Sequence, residues 1–145
     1  MLKVRTSEEK YVVEYKDGKD VLAKFFVKPI PISKTRTMLD SNKIIEWDAP
    51  PGDEQPKERF VDHNYLAITL DRIDGIICGW EGVVDKDGEE LECTRMNKLA
   101  IFDYDPTVIN YVLEEARKIF ESREVEKVRA EKNLETGRVG KRVKR

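Results

Sequence analysis

Apolar and polar residues alternate with period two through residues 10–30, which is typical of paired β-strands. The alternation runs through 11–15 and again through 21–27, and Asp17-Gly18 supplies the residue types that a tight turn between them needs. The pattern therefore predicts a β-hairpin over 10–30. Because an isolated hairpin is only marginally stable in water, we expect its apolar face to pack against a helix.

After the hairpin, the spacing of apolar residues becomes helical, and we predict helices over about 34–45, 62–80, 95–102 and 106–134. The second helix carries one apolar stripe, formed by Leu66, Leu70, Ile73, Ile77 and Trp80. Ser33 and Thr94 are the predicted N-caps of the first and third helices. Asp105 and Pro106 predict the start of the last helix, with the proline at its first position.

The last predicted helix has the widest apolar stripe, formed by Val108, Ile109, Val112, Leu113, Ala116, Ile119 and Phe120. Beyond Glu121 the stripe thins among alternating charges, so we expect this end to project into solvent. The fold class predicted from these elements is α+β, mainly α. We expect an N-terminal β-hairpin packed on a small helical domain with a long C-terminal helix.

The remaining segments read as surface or unstructured chain. Residues 1–9 are predicted to be a flexible N-terminus, and the prolines and charges of 47–59 predict a mobile loop. Residues 10–134 form the single predicted domain, since 145 residues suit one domain. The glycine-interrupted basic segment 135–145 is predicted to be disordered.

Composition narrows the function classes. Charged residues make up 39% of the chain, and the net charge of -2 with a pI near 5.6 excludes a strongly basic nucleic-acid-binding domain. The two cysteines, Cys78 and Cys93, indicate reduced thiols rather than a disulfide framework. The sequence shows neither a secretory apolar core nor a membrane-spanning apolar run, so we expect a cytoplasmic protein with no membrane partner.

No set of residues with catalytic spacing emerges. His63 is the only histidine and lies at the start of a predicted helix, and Asp71 and Asp74 suit a solvated helix face beside Arg72. The cysteines lack the paired spacing of a zinc site, and neither GxGxxG nor GxxxxGK occurs. We therefore expect a protein that is not an enzyme, with no catalytic residues, cofactor or metal.

Several runs of the chain resemble the tail assembly chaperones of long-tailed bacteriophages and prophages. The resemblance extends from about Phe25 to Asn133 and is most specific around Trp80, which is followed by a Glu-Gly-Val-Val-Asp run and an Asp-Gly turn. The runs that carry it are 25–30, 70–73, 79–89, 92–98 and 102–106. Its structural motif residues are Trp80, Gly82, Asp87, Gly88, Asp105 and Pro106.

The resemblance implies a protein that binds the tape measure protein and keeps it soluble while the tail assembles. It also implies residence in the host bacterial cytoplasm and absence from the mature virion. The candidate partner contacts lie on the last predicted helix, at Ile109, Val112, Ile119 and Phe120, where a plain core role is the competing interpretation.

Two other functions stay open. One is a structural component of the particle, such as a head–tail or tail tube protein, and the other is a small nucleic-acid-binding regulator that uses the basic tail. Nucleic acid is the less favoured partner, because that tail contains no aromatic residue to stack on bases. Self-association through an apolar helical surface is a further open expectation.

Overall fold

A computed structural model describes residues 1–2, 4, 7–48, 52 and 55–123. The strands are β1 (Tyr11–Asp17), β2 (Asp20–Val27), β3 (Lys43–Asp48), β4 (Lys57–His63) and β5 (Ile77–Glu81). The helices are α1 (Ile32–Ser41), α2 (Tyr65–Ile76), α3 (Arg95–Tyr104) and α4 (residues 106–123).

The prediction of a mainly helical protein was wrong. The fold is α+β, with 43% helix and 30% strand among the described residues, and the longest helix in that part of the chain has about 18 residues. The difference arises because three segments that were assigned to helix ends or to a loop pair as strands instead. They are residues 43–48, 57–63 and 77–81.

Strands β1, β2 and β5 form an antiparallel sheet with β2 in the centre. The β1–β2 turn holds Gly18 at φ 62°, a left-handed conformation that glycine adopts at little cost. In the β2–β5 pair, Phe25 lies opposite Trp80, and their rings meet edge to face at 6.0 Å. The hairpin predicted over 10–30 thus gains a third strand as well as helices.

The helix predicted over 62–80 is a shorter helix followed by a strand. Asn64 caps α2 by accepting a hydrogen bond from the Ala67 backbone N–H (3.2 Å), and the helix ends at Ile76. Two glycines and adjacent β-branched residues weaken helical structure at this end. Backbone hydrogen bonds to β2 instead hold residues 77–81 as a strand. Gly79 lets the Phe26 ring pack closely, since a Cβ at this position would lie 3.2 Å from that ring.

The first helix begins and ends earlier than the predicted 34–45. Pro31 occupies the N-cap position with no side-chain hydrogen bond, so Ser33 lies inside α1 and is not its cap. Asn42 ends α1, because both its backbone N–H (3.2 Å) and its side-chain amide (2.8 Å) donate to the Met38 carbonyl. The chain then enters β3, which contains two isoleucines.

Strands β3 and β4 replace both ends of the loop predicted over 47–59. They form a two-stranded sheet of their own, and all of their residues except His63 are exposed. Residues 49–51, 53 and 54 of that loop lie outside the described part of the chain.

Helix α4 begins at 106, where the sequence placed it, and is described as far as 123. The predicted extension to 134 and the basic tail 135–145 lie outside the described residues. At the other end of the chain, residues 7–10 form neither helix nor strand, and Glu8 accepts a hydrogen bond from Lys28 at 2.9 Å.

The core lies where the three-stranded sheet meets α2 and α4. Its buried members are Val13, Phe25, Val27, Ile73, Ile76, Ile77, Ile109, Val112 and Ala116. Burying each large aliphatic or aromatic side chain stabilises the fold by about 1.5–3 kcal/mol before entropy is counted. These contacts hold α2 and α4 side by side, which creates the groove described next.

Candidate functional site

An apolar groove of about 560 Å³ runs between α2 and α4. Ile76 from α2 and Leu113 and Phe120 from α4 supply its apolar lining, and polar or charged residues line the rest. Those are Thr69, Arg72, Asn110, Glu114, Arg117 and Glu121. An apolar channel bordered by charges and flanked by two helices is the geometry that accepts an amphipathic helix.

A second groove of about 460 Å³ continues across α2 toward α1 and shares Arg72, Ile76 and Phe120 with the first. Its other apolar lining residues are Pro29, Ile30, Met38, Leu39 and Ile68. We call the two grooves together the groove surface. It forms because Phe120 and Ile76 are held by the core on one side and face the grooves on the other.

The charged residues of α4 at this surface pair with one another. Arg117 contacts Glu114 at 2.5 Å and Glu121 at 2.6 Å, and these hydrogen bonds raise the pKa of the Arg117 guanidinium. The hydrogen bond from Arg117 likewise lowers the pKa of Glu114.

Arg72 differs from Arg117, because it is exposed and forms no ion pair with another described residue. It lies in both grooves. Among the described residues, the groove surface therefore offers an apolar floor with Arg72 available to a partner's carboxylate.

A polar cluster fixes α2 against α3. Lys98 is buried, and its ammonium contacts the Asp74 carboxylate at 2.7 Å and donates to the backbone carbonyls of Asp74 (3.0 Å) and Ile77 (2.9 Å). Arg95 adds ion pairs to Asp71 (2.8 Å) and Asp74 (3.1 Å). We call the four charged residues, Asp71, Asp74, Arg95 and Lys98, the α2–α3 clasp. A cation at the C-terminal end of α2 also interacts favourably with the helix dipole.

Hydrogen bonds and nearby cations lower the pKa of both aspartates of the clasp. Hydrogen bonds from Asn42 and then Arg95 lower the pKa of Asp71. Burial acts to raise the pKa of Asp74, but the hydrogen bonds and charges of Lys98 and Arg95 outweigh it, and the pKa is lowered. The solvated face predicted for these aspartates is thus an inter-helical contact.

The four candidate partner contacts lie in two environments. Ile109 and Val112 are fully buried in the core, whereas Ile119 and Phe120 are half-buried and pack against the core from outside. Only Phe120 lines the groove surface, while Ile119 lies in a shallow depression beside Tyr11.

The residues that carried the resemblance shape the segment after β5. Trp80 Nε1 donates to the Leu91 carbonyl at 2.7 Å. Gly82 has φ 79°, and a Cβ at this position would lie only 2.9 Å from the Leu22 carbonyl oxygen. Asp87 and Gly88 lie in a turn that the Asp85 carboxylate stabilises by accepting from the Asp87 and Glu89 backbone N–H groups. This arrangement is structural.

The segment between α3 and α4 contains the last two motif residues. Asp105 ends α3 by donating its backbone N–H to the Ile101 carbonyl at 2.7 Å, and Pro106 begins α4. Thr94 caps α3 by accepting from the Asn97 backbone N–H at 3.2 Å, as its sequence position predicted.

Within the described residues, the histidine and the two cysteines do not form part of a cluster of metal-ligating side chains. His63 ends β4, where its ring packs 5.1 Å from the ring of Phe60. Cys78 and Cys93 are half-buried free thiols, and burial raises the pKa of Cys93. No group of three or more metal-ligating side chains occurs in the described part, nor does any helix there have the length and apolarity to cross a membrane.

Sequence reasoning missed Arg72 as a residue of the groove surface. A signal was available, because Ile68 or Thr69, Arg72 and Ile76 recur at helical spacing and share one face of α2. The predicted apolar stripe passes through Leu66 and Leu70 instead, although Leu66 is 65% exposed in the structure.

Comparison with known protein families relates part of the chain to prophage proteins. The model of a family described as YdaY prophage protein matches residues 63–133, which include α2, α3 and α4 with the groove between α2 and α4. This match supports a phage or prophage protein. No curated protein and no solved structure matches the chain.

Proposed function

We propose that this protein is a phage tail assembly chaperone that binds the tape measure protein and keeps it soluble until the tail tube encloses it. The observation that carries the proposal is the apolar groove surface beside Arg72, a cation that forms no ion pair with another described residue. The sequence resemblance to tail assembly chaperones and the prophage family match also support it. In this proposal the protein acts by binding and catalyses no reaction.

The groove surface suits a helical segment of the partner. A single α-helix has a diameter of ~10–12 Å with its side chains and presents apolar anchors at i, i+3, i+4 and i+7. Such anchors would cover Ile76, Leu113 and Phe120. An aspartate or glutamate beside these anchors on the partner helix would pair with Arg72. We therefore propose that the tape measure protein contributes an amphipathic helix with an acidic residue next to its apolar stripe.

Co-expression with the tape measure protein from the same phage or prophage genome tests the proposal. The expected result is that the tape measure protein becomes soluble and elutes with this chain as one complex in gel filtration. Equal solubility with and without this chain, with no shared elution peak, would mean that the proposed function is wrong.

Charge reversal locates the contact. Arg72→Glu should abolish co-elution, because it places a carboxylate against the partner's acidic residue. Arg36→Glu on α1 is the matched control, since Arg36 is exposed and does not line either groove. If both variants bind as the unaltered chain does, the groove surface is not the contact.

The proposal also places the protein in the host bacterial cytoplasm and outside the finished virion. Mass spectrometry of purified particles distinguishes it from the second candidate, a structural component of the head–tail junction or tail tube. The chaperone proposal expects the tape measure protein in the particle and this chain to be missing from it. Stoichiometric retention of this chain would support the structural component instead.

A further inference from the structure

The β3–β4 sheet is the second exposed apolar feature of the molecule. Its two strands pair with each other and with no other described strand. Trp47, Phe60 and Ile45 are 65%, 54% and 42% exposed, which is unusual for large apolar side chains in one small sheet. An isolated two-stranded sheet is marginally stable in water, so a covering surface would stabilise it.

The strand register separates the sheet into two unlike faces. Because paired residues point to the same side of a sheet, Ile45 shares a face with Phe60, and Trp47 shares that face with Glu58. Lys43 and its partner His63 follow on the same face, and the His63 ring lies 5.1 Å from Phe60. We call this side the apolar face.

The opposite face is mainly charged and suits water. Arg59 contacts Glu46 at 2.5 Å and Asp48 at 3.8 Å, and Lys57 lies opposite Asp48, with Ile44 at the end nearest the helices. A partner of this sheet therefore has one obvious side to cover, and the charged face can stay in solvent.

The two ends of the apolar face carry opposite charges. Glu58 lies at the end that contains Trp47 and makes no ion pair with another described residue. Lys43 lies at the other end, where it pairs with the exposed Asp40 at 2.9 Å and keeps donor capacity for a second carboxylate. Lys43 and Glu58 are about 13 Å apart along one chain, since four strand residues separate their pairs at about 3.3 Å each.

We propose that a second copy of this chain covers the apolar face, with the two sheets stacked in opposite directions about a two-fold axis. That arrangement sets Glu58 of each copy over Lys43 of the other while the rings of Trp47 and Phe60 pack between the sheets. The face is thus self-complementary, as a two-fold interface requires.

The contact area predicts weak association. Six residue pairs along the two strands give a face roughly 20 Å long. Two strands set ~5 Å apart make it narrow, so it covers far less than the ~800 Å² per partner of a standard interface. The dimer should accordingly dissociate as the protein is diluted.

Sedimentation velocity of the full chain over a range of concentrations tests the proposal. We expect the monomer to convert to a dimer as concentration rises, and Trp47→Ala to shift the midpoint at least tenfold higher. In a Trp80→Phe background, where Trp47 is the only tryptophan, its emission should move to shorter wavelength over the same range. A chain that stays monomeric at every concentration would overturn the proposal.

A mixing experiment tests the two-fold geometry itself. Glu58→Lys alone and Lys43→Glu alone should each be monomeric, because each creates two like-charge contacts across the axis. Mixing the two variants should restore the dimer, since both contacts then pair opposite charges. Lys57→Glu changes the charged face and should dimerise as the unaltered chain does. Circular dichroism of each variant checks that it is folded.

Two results contradict the stacked arrangement. One is a dimer that survives both single charge reversals, and the other is a mixture that stays monomeric although each variant is folded. Neither bears on tape measure binding, because the residues exchanged here do not line the groove surface.

Discussion

Removing the Lys98 ammonium should cost more stability than removing any exposed lysine of the protein. The ammonium contacts the Asp74 carboxylate and two backbone carbonyls at the C-terminal end of α2. Lys98→Met keeps an unbranched side chain of similar length, so packing of the stem is largely retained. The substitution removes one of the two cations that contact the Asp74 carboxylate, and it removes the Lys98 donor from two backbone carbonyl groups.

The burial of the Lys98–Asp74 ion pair sets the size of the expected loss in the free energy of unfolding. Breaking a fully buried ion pair by removing one partner costs about 3–5 kcal/mol. The side chain of Asp74 is 31% exposed and keeps its contact with Arg95, so water and Arg95 stabilise part of the remaining charge. We expect the free energy of unfolding to fall by about 2–3 kcal/mol.

Urea unfolding at neutral pH, followed by circular dichroism, measures this loss. Lys118→Met is the matched control, because Lys118 is exposed on α4 and pairs with Glu115 at the surface (3.1 Å). The control should unfold at the same urea concentration as the unaltered chain. If Lys98→Met also unfolds there, the α2–α3 clasp does not stabilise the fold as described.

Two further perturbations test other parts of the structure. The ionised forms of Asp71 and Asp74 should contribute fully to the free energy of unfolding above the unfolded carboxylate pKa of ~3.9. This contribution should be lost as the pH drops through the lowered pKa values of the two aspartates. Acid titrations should show a shallower loss in Lys98→Met, and an unchanged slope would contradict this assignment. Gly82→Ala should destabilise more than Gly18→Ala in thermal unfolding, because both have positive φ but only at Gly82 would a Cβ meet backbone, 2.9 Å from the Leu22 oxygen. Equal losses would show that the close approach is relieved without cost.

The local sequence predicted elements whose signals are local. The turn at Gly18, the Thr94 cap and the start of α4 at Pro106 each depend on a few adjacent residues. Such signals do not require knowledge of the rest of the chain.

The predictions were wrong where pairing with a strand that is distant in the sequence determines the secondary structure. Helical spacing continues from Ile73 to Ile77 and Trp80, yet 77–81 is a strand because β2 offers it backbone hydrogen bonds. Apolar and charged residues also alternate through β3, but the prolines that follow it favoured a loop. Local propensity is a weak guide when a sheet edge is available for pairing.

The candidate site was predictable only in part. Phe120 was identified because it belongs to the widest apolar stripe. That stripe also includes Ile109 and Val112, which are buried in the core and cannot contact a partner. Which side of α4 remains open depends on where α2 and the sheet pack. The pairing of Arg117 and the lack of an ion pair for Arg72 within the described chain likewise depend on the folded geometry.

The most direct measurement of the central claim is a calorimetric titration of this chain with peptides that span the predicted helices of the tape measure protein. We predict that one amphipathic peptide binds the unaltered chain and fails to bind Arg72→Glu. Exchanging the peptide's acidic residue for lysine should restore binding to Arg72→Glu and weaken binding to the unaltered chain. A peptide that binds both chains equally, or no binding by any peptide, would contradict recognition of a tape measure helix at the groove surface.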